Sequence, residues 1–523
     1  MVTDTDGMPA EEKKRGAFSS RRVFILAAIG SAVGLGNIWR FPYVAYDNGG
    51  GAFMIPYIVA LLTAGLPFLM LDYGMGHRNR GSAPLSFARI SRKGEPLGWW
   101  QVAICFVIAI YYAAIIGWAS VYAIFSFDKS WGDDPATYFS VDFLEGGDPG
   151  ISLDFVNGLL IPLVIVWVVL LVIMAMGVQK GIGMLSVIFI PILVVAFVAL
   201  VVQALFLDGA GDGLNALFTP DWDALSNTDV WIAAYGQIFF SLSVGFGIMI
   251  TYSAYVDRRE NMTGSGLVVG FANSGFELLA GIGVFAALGF IASSTGGDPG
   301  EAAQGGGIGL AFIAFPTIIN EAPAGAVLGV LFFVSLVIAG ITSLISVIEV
   351  VIASVRDKFE LPRIAAVLVV GVPAAIASVL LFSTTTSLYS LDIIDNFINQ
   401  FGILLVAVVS MLALAWAFRV VPALAAHLNR NGSLKLGWVW RALVSVITPA
   451  ALIWVLVDQF RKNIETTYGE GAYPDWMVNT LGWGVAGGVI VVGLLAALIP
   501  WRRQTSLEVP EEAPIDQPEE DVR

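Results

Sequence analysis

Two stretches of this 523-residue chain set glycines beside hydroxyl and amide side chains inside otherwise apolar runs. The first is Gly30-Ser31-Ala32-Val33-Gly34-Leu35-Gly36-Asn37, and the second is Ser241-Leu242-Ser243-Val244-Gly245-Phe246-Gly247. Glycine weakens a helix, and a helix unwound inside a membrane exposes backbone groups that need partners. Freed carbonyls suit a small hard cation, and freed N–H groups at the start of a half-helix suit a carboxylate. Serine, threonine and asparagine add neutral oxygen ligands. Taken alone, Gly30 and Gly34 equally suit a small-residue packing face. Two such interruptions, each rich in hydroxyl or amide groups, favour binding of a cation together with an anionic group.

Other residues in apolar runs extend this chemistry. Ala339, Thr342 and Ser343 share one helical face at i, i+3 and i+4. Their hydroxyls suit a cation or, more blandly, a bond back to a helix carbonyl. Ionisable residues inside spans are functional candidates by default, and here they are chiefly Arg40, Asp47, Asp72, Glu277, Glu349, Asp392 and Asp395. Asp72 and Glu349 read as structural. Glu277 follows Asn273 by four residues, one helical turn on. One cysteine, Cys105, excludes an internal disulfide and a cysteine-based metal site, and two histidines argue against a multi-histidine centre. With no histidine mid-span and no HExxH motif, a zinc protease or Ser–His hydrolase lacks its parts, so the chain reads as no enzyme.

The elements that must position these groups are membrane helices. Hydrophobic residues make up 57% of the chain and charged ones 13%, against about 25% charged in an ordinary soluble domain. The expected class is an all-α polytopic membrane protein in the lipid bilayer. Twelve spans are placed near 22–45, 52–76, 97–127, 155–176, 182–207, 229–256, 263–293, 325–355, 363–382, 390–418, 437–458 and 477–501. With the N-terminus inside, cytoplasmic segments hold 23 of the 27 basic residues, which predicts cytoplasmic N- and C-termini in a cell membrane. Arg21-Arg22 then opens the first span, a better reading than a twin-arginine export signal. The division is 1–21 as an N-terminal segment, 22–208 and 229–419 as two five-helix halves, 436–501 as the last two spans, and 502–523 as an acidic disordered tail. The first and sixth spans carry the two interruptions, five spans apart and so opposite in direction, as in inverted repeats. A net charge of −14 without a basic block argues against a nucleic-acid partner.

The stretch Gly34-Leu35-Gly36-Asn37-Ile38-Trp39-Arg40-Phe41-Pro42-Tyr43, followed by Asn48-Gly49-Gly50-Gly51-Ala52-Phe53, resembles the signature of the neurotransmitter:sodium symporter family. Gly236-Gln237-Ile238-Phe239-Phe240-Ser241-Leu242-Ser243 and Ala339-Gly340-Ile341-Thr342-Ser343 are similar to its sixth and eighth spans. The resemblance runs from about Arg15 to the twelfth span. This family is itself a standard example of inverted repeats, so the paired breaks and the resemblance are not independent observations.

The resemblance implies two sodium ions. One would take the Ala32 carbonyl, the side-chain oxygens of Asn37, Ser241 and Asn273, and the substrate carboxylate. The other would take carbonyls of Gly30, Val33 and Ala339 with the hydroxyls of Thr342 and Ser343. Relatives that carry monoamines have an aspartate where Gly34 stands here, which leaves room for a substrate with its own carboxylate. That carboxylate would meet the amides of Leu35 and Gly36 and the Tyr112 hydroxyl. The amine would face carbonyls of Ala32, Phe240, Ser241 and Ser243. The side-chain pocket implied by Ile108, Phe240, Ser243, Phe246, Ser343 and Val347 is mostly apolar, so a charged side chain would enter unpaired at several kcal/mol. The expected substrate is a neutral, hydrophobic L-amino acid.

The same resemblance assigns gates. Arg40 and Asp395 match the extracellular pair, with Phe246 and Tyr112 as the lid beneath. Arg15 and Asp357 match the intracellular pair, with Tyr255 near, and Phe18 stands where tryptophan is usual. Gly181 and Pro191 match a spacing the family uses to unwind its fifth span. Glu277 resembles the acid of chloride-independent bacterial members, where its charge replaces chloride, and it could take up a proton in the empty return step. Sodium-driven import without chloride, with proton counter-movement, is the expectation. A sodium symporter for another small zwitterion, a betaine or β-amino acid, stays open, as does a non-transporting amino-acid sensor.

Overall fold

The apolar runs form helices almost throughout a computed structural model of the chain, which describes residues 17–295 and 306–510. In chain order these are α1 (Arg21–Ala32), α2 (Leu35–Asp47), α3 (Gly51–Asn79), α4 (Ala83–Ile90), α5 (Arg92–Phe125), α6 (Asn157–Ala175), α7 (Val178–Leu205), α8 (Ala210–Phe218), α9 (Thr228–Ser241) and α10 (Ile248–Ser253). They continue as α11 (Met262–Thr295), α12 (Phe315–Glu321), α13 (Gly325–Phe359), α14 (Arg363–Phe382), α15 (Ser387–Ala417), α16 (Val421–Asn431), α17 (Trp438–Glu465) and α18 (Asp475–Leu498). Among the described residues, ten helices are long and apolar enough to cross a membrane. The pair α1 and α2 makes an eleventh, bent by 54°. The expected sixth span is divided into α9, of 14 residues, and α10, of 6 residues, each too short to cross alone.

Burial sorts the helices. The spans α5 and α13 are the most enclosed, and α6, α7, α14, α17 and α18 the least. Exposed Ile161, Val168, Val195, Leu494 and Leu495 give the outer helices the apolar faces that lipid requires. The inner helices therefore carry the polar residues. Expected span boundaries agree with the helices to within about five residues at most ends, because the apolar run and its flanking charges define both. Two expectations differ. The helix α7 opens with a π-helical stretch, Val178–Gly183, that holds Gly181, and continues as α-helix through Pro191, so that spacing does not unwind it here. Residues 502–510 are not free of the fold: Thr505 Oγ1 donates to Glu360 (3.0 Å), and the Ser506 carbonyl accepts from Arg89 (3.0 Å). Residues 511–523 of the expected tail, and Arg15, lie outside the described residues.

Candidate functional site

The first helix breaks at two residues. Val33 (ψ 92°) and Gly34 (ψ −166°) are extended between α1 and α2, so Gly30, Ser31 and Ala32 stay helical, and the break is narrower than the glycine content implied. Asn37 closes the start of α2 by accepting the Gly34 N–H on Oδ1 (2.9 Å). The second break covers 242–247 between α9 and α10. Ser243, Gly245 and Gly247 there have φ of +53°, +87° and +91°, a region glycine enters at little steric cost and serine does not. The Gly245 N–H donates to buried Asp72 (3.0 Å), which supports the structural reading of that acid.

The two breaks and α13 meet at one carbonyl. Ser31 O accepts from Ser243 Oγ (3.0 Å) and Ser343 Oγ (3.3 Å), and Ser31 Oγ donates to Ser346 Oγ (2.8 Å). The Leu35 N–H donates to Tyr112 Oη (3.1 Å). A Cβ on Gly34 would lie 2.9 Å from that hydroxyl and 3.3 Å from Ser343 Oγ. Gly34 is therefore packed closely against Tyr112 of α5 and Ser343 of α13. Ile108, one turn before Tyr112, and Val347, one turn after Ser343, extend the same two helix faces and are buried. The Phe240 ring packs on the Gly36 backbone, where a Cβ would come within 2.0 Å of it.

Both residue groups that the resemblance assigned to sodium are brought together. Asn37 Nδ2 donates to Asn273 Oδ1 (2.9 Å), whose Nδ2 donates to Ser241 Oγ (3.1 Å). An amide or hydroxyl oxygen has two lone pairs, so each acceptor keeps one for a cation. In the other group, Thr342 Oγ1 donates to Ile338 O (2.9 Å) and Ala339 O (3.0 Å). That is the back-bonding weighed above, and it spends the proton while leaving oxygen lone pairs. Thr342 Cβ is 3.3 Å from where a Gly30 Cβ would be, which sets the end of α1 against the hydroxyl face of α13. Val33 carries its extended carbonyl at the same helix end.

Glu277 is fully buried on α11. It accepts from the Tyr57 hydroxyl and from Gln237 Nε2 (2.6 Å), with Ser274 Oγ 2.9 Å from Tyr57 Oη. One negative charge is thus held by neutral donors near the Asn37–Asn273–Ser241 chain.

The residues that the resemblance assigned to gates form two clusters of different kinds. The Arg40 guanidinium lies 4.5 Å over the Phe240 ring, so the aromatic beneath Arg40 is Phe240 rather than Phe246. Phe246 lies deeper, with its carbonyl 3.1 Å from Cys105 Sγ. Asp395 is held by Asn399 Nδ2 (2.8 Å) and interacts with Arg40 through its field. Arg40, Phe240, Tyr112 and Asp395 are all half-buried. On the other side Phe18 is buried, edge-on to Tyr252 (5.5 Å) and Tyr255 (6.2 Å), and its N–H donates to Tyr255 O (3.1 Å). Asp357 accepts the Ser82 N–H (3.0 Å).

Several site residues escaped the sequence reading. Glu349, read there as structural with no named partner, accepts from Tyr255 Oη (2.7 Å) and Arg363 Nη1 (2.8 Å) and pairs ionically with Arg363 Nη2 (2.7 Å), while Arg363 Nε donates to Met174 O (2.8 Å). That ion pair ties α13, α14 and α6 to the Phe18–Tyr252–Tyr255 cluster. The signal was available: a carboxylate fully inside a span needs a cation, and Arg363 opens the next span. Ser31 and Ser346, and Tyr57 and Gln237 around Glu277, were missed because lone polar residues in apolar runs show no partner in one dimension.

These features define a class: a polytopic helical membrane protein with two broken helices meeting at a small polar centre. The chain belongs to the sodium:neurotransmitter symporter family, whose model matches residues 15–145 and 131–503. It is 39% identical over 458 residues to an uncharacterized sodium-dependent transporter of Methanocaldococcus jannaschii, covering 87% of this chain and 92% of that one. It is 30% identical over 546 residues to the human sodium- and chloride-dependent neutral and basic amino acid transporter B(0+), covering 90% and 84%. It is 29% identical over 515 residues to the Drosophila melanogaster sodium-dependent serotonin transporter, covering 91% and 81%. The protein is thus a sodium-dependent transporter, in a family of transporters rather than enzymes.

Proposed function

We propose that this transporter imports a neutral, hydrophobic L-amino acid with two sodium ions by alternating access, without chloride. The observation that carries the substrate reading is Gly34, whose missing side chain faces Tyr112 Oη and Ser343 Oγ. With no carboxylate on this residue, the two hydroxyls are left for a substrate that brings its own. It would also complete the first sodium shell, since Asn37, Asn273 and Ser241 bring no charge. The pocket faces of Ile108, Phe240, Phe246 and Val347 favour an apolar side chain. The similarity to an amino acid transporter supports the same reading, and the similarity to a serotonin transporter is answered by glycine at position 34.

Chloride independence rests on Glu277, whose charge occupies a nest of neutral donors. The same carboxylate is the group to carry a proton outward in the empty return step. The membrane path is twelve crossings with both termini cytoplasmic in the cell membrane, counting α9 and α10 as one broken crossing. The half-buried outer residues and the packed Phe18 plug suit an outward-facing state.

Equilibrium binding of labelled leucine to the purified protein tests the reading. Binding should require sodium and be displaced by hydrophobic L-amino acids, but not by betaine, β-alanine or serotonin. Displacement by betaine or β-alanine in preference to leucine would move the assignment to another small zwitterion.

A further inference from the structure

The cytoplasmic half of the broken sixth span is α10, only six residues long. A helix that short is not held by its own hydrogen bonds, and its last carbonyls need outside donors. Three successive carbonyls just beyond it receive them. Tyr255 O accepts from Phe18 N–H (3.1 Å), Val256 O from the Arg80 guanidinium, and Asp257 O from His77 Nε2 (2.8 Å). The first of these contacts belongs to the Phe18 cluster described above. The last leads outward to a second histidine.

His77 Nδ1 lies 2.8 Å from His427 Nε2, with ring centroids 5.1 Å apart. These are the chain's two histidines, 350 residues apart in sequence. Their protonation pattern follows from chemistry. A carbonyl only accepts, so His77 Nε2 carries hydrogen, and its Nδ1 in the neutral ring must accept from His427 Nε2–H. His427 is on α16, which packs on α3, where Leu428 Cδ1 is 3.1 Å from the place of a Gly74 Cβ. The charged groups facing the pair are Arg78 and Arg80 at the end of α3, Arg258 after α10, and Arg430 on α16. The Asp257 carboxylate turns to its own loop, accepting the Arg259 N–H (2.8 Å).

We propose that His77 and His427 form a neutral two-imidazole clasp by which α16 braces the cytoplasmic half-helix α10 in its closed position. Both are positioning residues, outside the groups assigned to substrate and sodium. The proposal rests on reading the Phe18, Tyr252 and Tyr255 cluster as the inner closure. A proton on His427 would add charge among four arginines while keeping its Nε2–H bond, and a proton on His77 would remove the Nδ1 acceptor itself. Burial, with Arg430, Arg78, Arg258 and Arg80 around it, pulls the His427 imidazole from 6.5 down to about 4. With the folded value depressed, the clasp is at full strength above pH 6.5 and weakens as pH falls from 6.5 toward 4.

The test uses the full-length transporter in lipid nanodiscs with a cysteine at buried Ser253 (S253C) and maleimide labelling from the cytoplasmic side. Rates are normalised to exposed K93C, which corrects for thiol ionisation. His427→Phe keeps a ring without the donor, and His427→Gln restores an N–H. H427F should speed S253C labelling about tenfold, the upper range for losing one net hydrogen bond, while H427Q stays near the parent rate. Acidification from pH 6.5 to 4.5 should speed labelling in the parent and not in H427Q. Equal rates in H427F and parent, equal acceleration by both variants, or a flat parent pH profile would each overturn the clasp. If H427F does not fold, the pH profiles of parent and H427Q decide alone. Sodium should slow labelling of the parent. If it does not, the inner-closure reading fails, whereas the Phe-against-Gln contrast still judges the clasp.

Discussion

Replacing Glu277 with serine removes a carboxylate that accepts from Tyr57 and Gln237 in a fully buried nest. Serine is too short to reach both donors. Tyr57 can turn its hydroxyl to Ser274 Oγ (2.9 Å), but Gln237 Nε2 is left unsatisfied at about 1–3 kcal/mol, a factor of at least about 5 in affinity. The same substitution leaves a small cavity edged by an O–H and an N–H, which suits a monovalent anion. Chloride entering it would restore both hydrogen bonds and the missing charge. The assay is sodium-driven uptake of labelled leucine into proteoliposomes, in chloride and in gluconate. The native protein should give equal rates in both. Glu277→Ser should be slower by at least about fivefold in gluconate and recover in tens of millimolar chloride, about the range expected of a weak single-ion site. Glu277→Gln, which fills the space without the charge, should stay poor in both. Equal activity of Glu277→Ser in the two media would refute the assignment of this carboxylate as the built-in anion.

Other consequences are as direct. Gly34→Asp would put a carboxylate beside Tyr112 and Ser343, where a Cβ already comes within 2.9 Å of Tyr112 Oη; leucine binding measured by scintillation proximity should disappear, and retained binding would place the substrate elsewhere. Thr342→Ala removes one hydroxyl oxygen facing the end of α1. The sodium concentration for half-maximal leucine binding should rise about tenfold, equivalent to ~1.4 kcal/mol, with no change expected if Thr342 only bonds back to its helix. Glu95 accepts from Arg92, Lys358, Trp99 (3.0 Å) and Trp501 (2.9 Å), and Lys358 is fully buried. Glu95→Gln should cost about 3–5 kcal/mol by stranding that ammonium, seen as a lower melting temperature in detergent; an unchanged melting curve would mean the cluster is not structural.

What the sequence made legible follows from which forces act in one dimension. Apolar run length and flanking charge define a span, so Arg363–Phe382 is at its expected place. The break in α1 was legible as a region, but its width was not. Gly30 and Gly36 are small because Ile190 and Phe240 pack on them, and only Gly34 lies at the break itself. The resemblance supplied the groups that meet, while the sequence alone could not show that Ser31 O is shared by Ser243 and Ser343. Long-range polar pairs such as Glu349 with Arg363, or His77 with His427, leave no periodic trace. Each residue of such a pair looks misplaced until its partner is seen. The aromatic under Arg40 illustrates the same limit: Phe240 and Phe246 lie on one broken span, and only the structure shows that Phe240, on α9, is the ring beneath Arg40.

The central claim is coupling of an amino acid to sodium by this chain. Purified protein in proteoliposomes, with labelled leucine outside and chloride absent, measures it directly. An inward sodium gradient should drive accumulation above the external concentration, collapsing when sodium is equal on both sides or replaced by potassium. Equilibration of leucine that is indifferent to sodium, or sodium-dependent binding with no accumulation, would contradict the account.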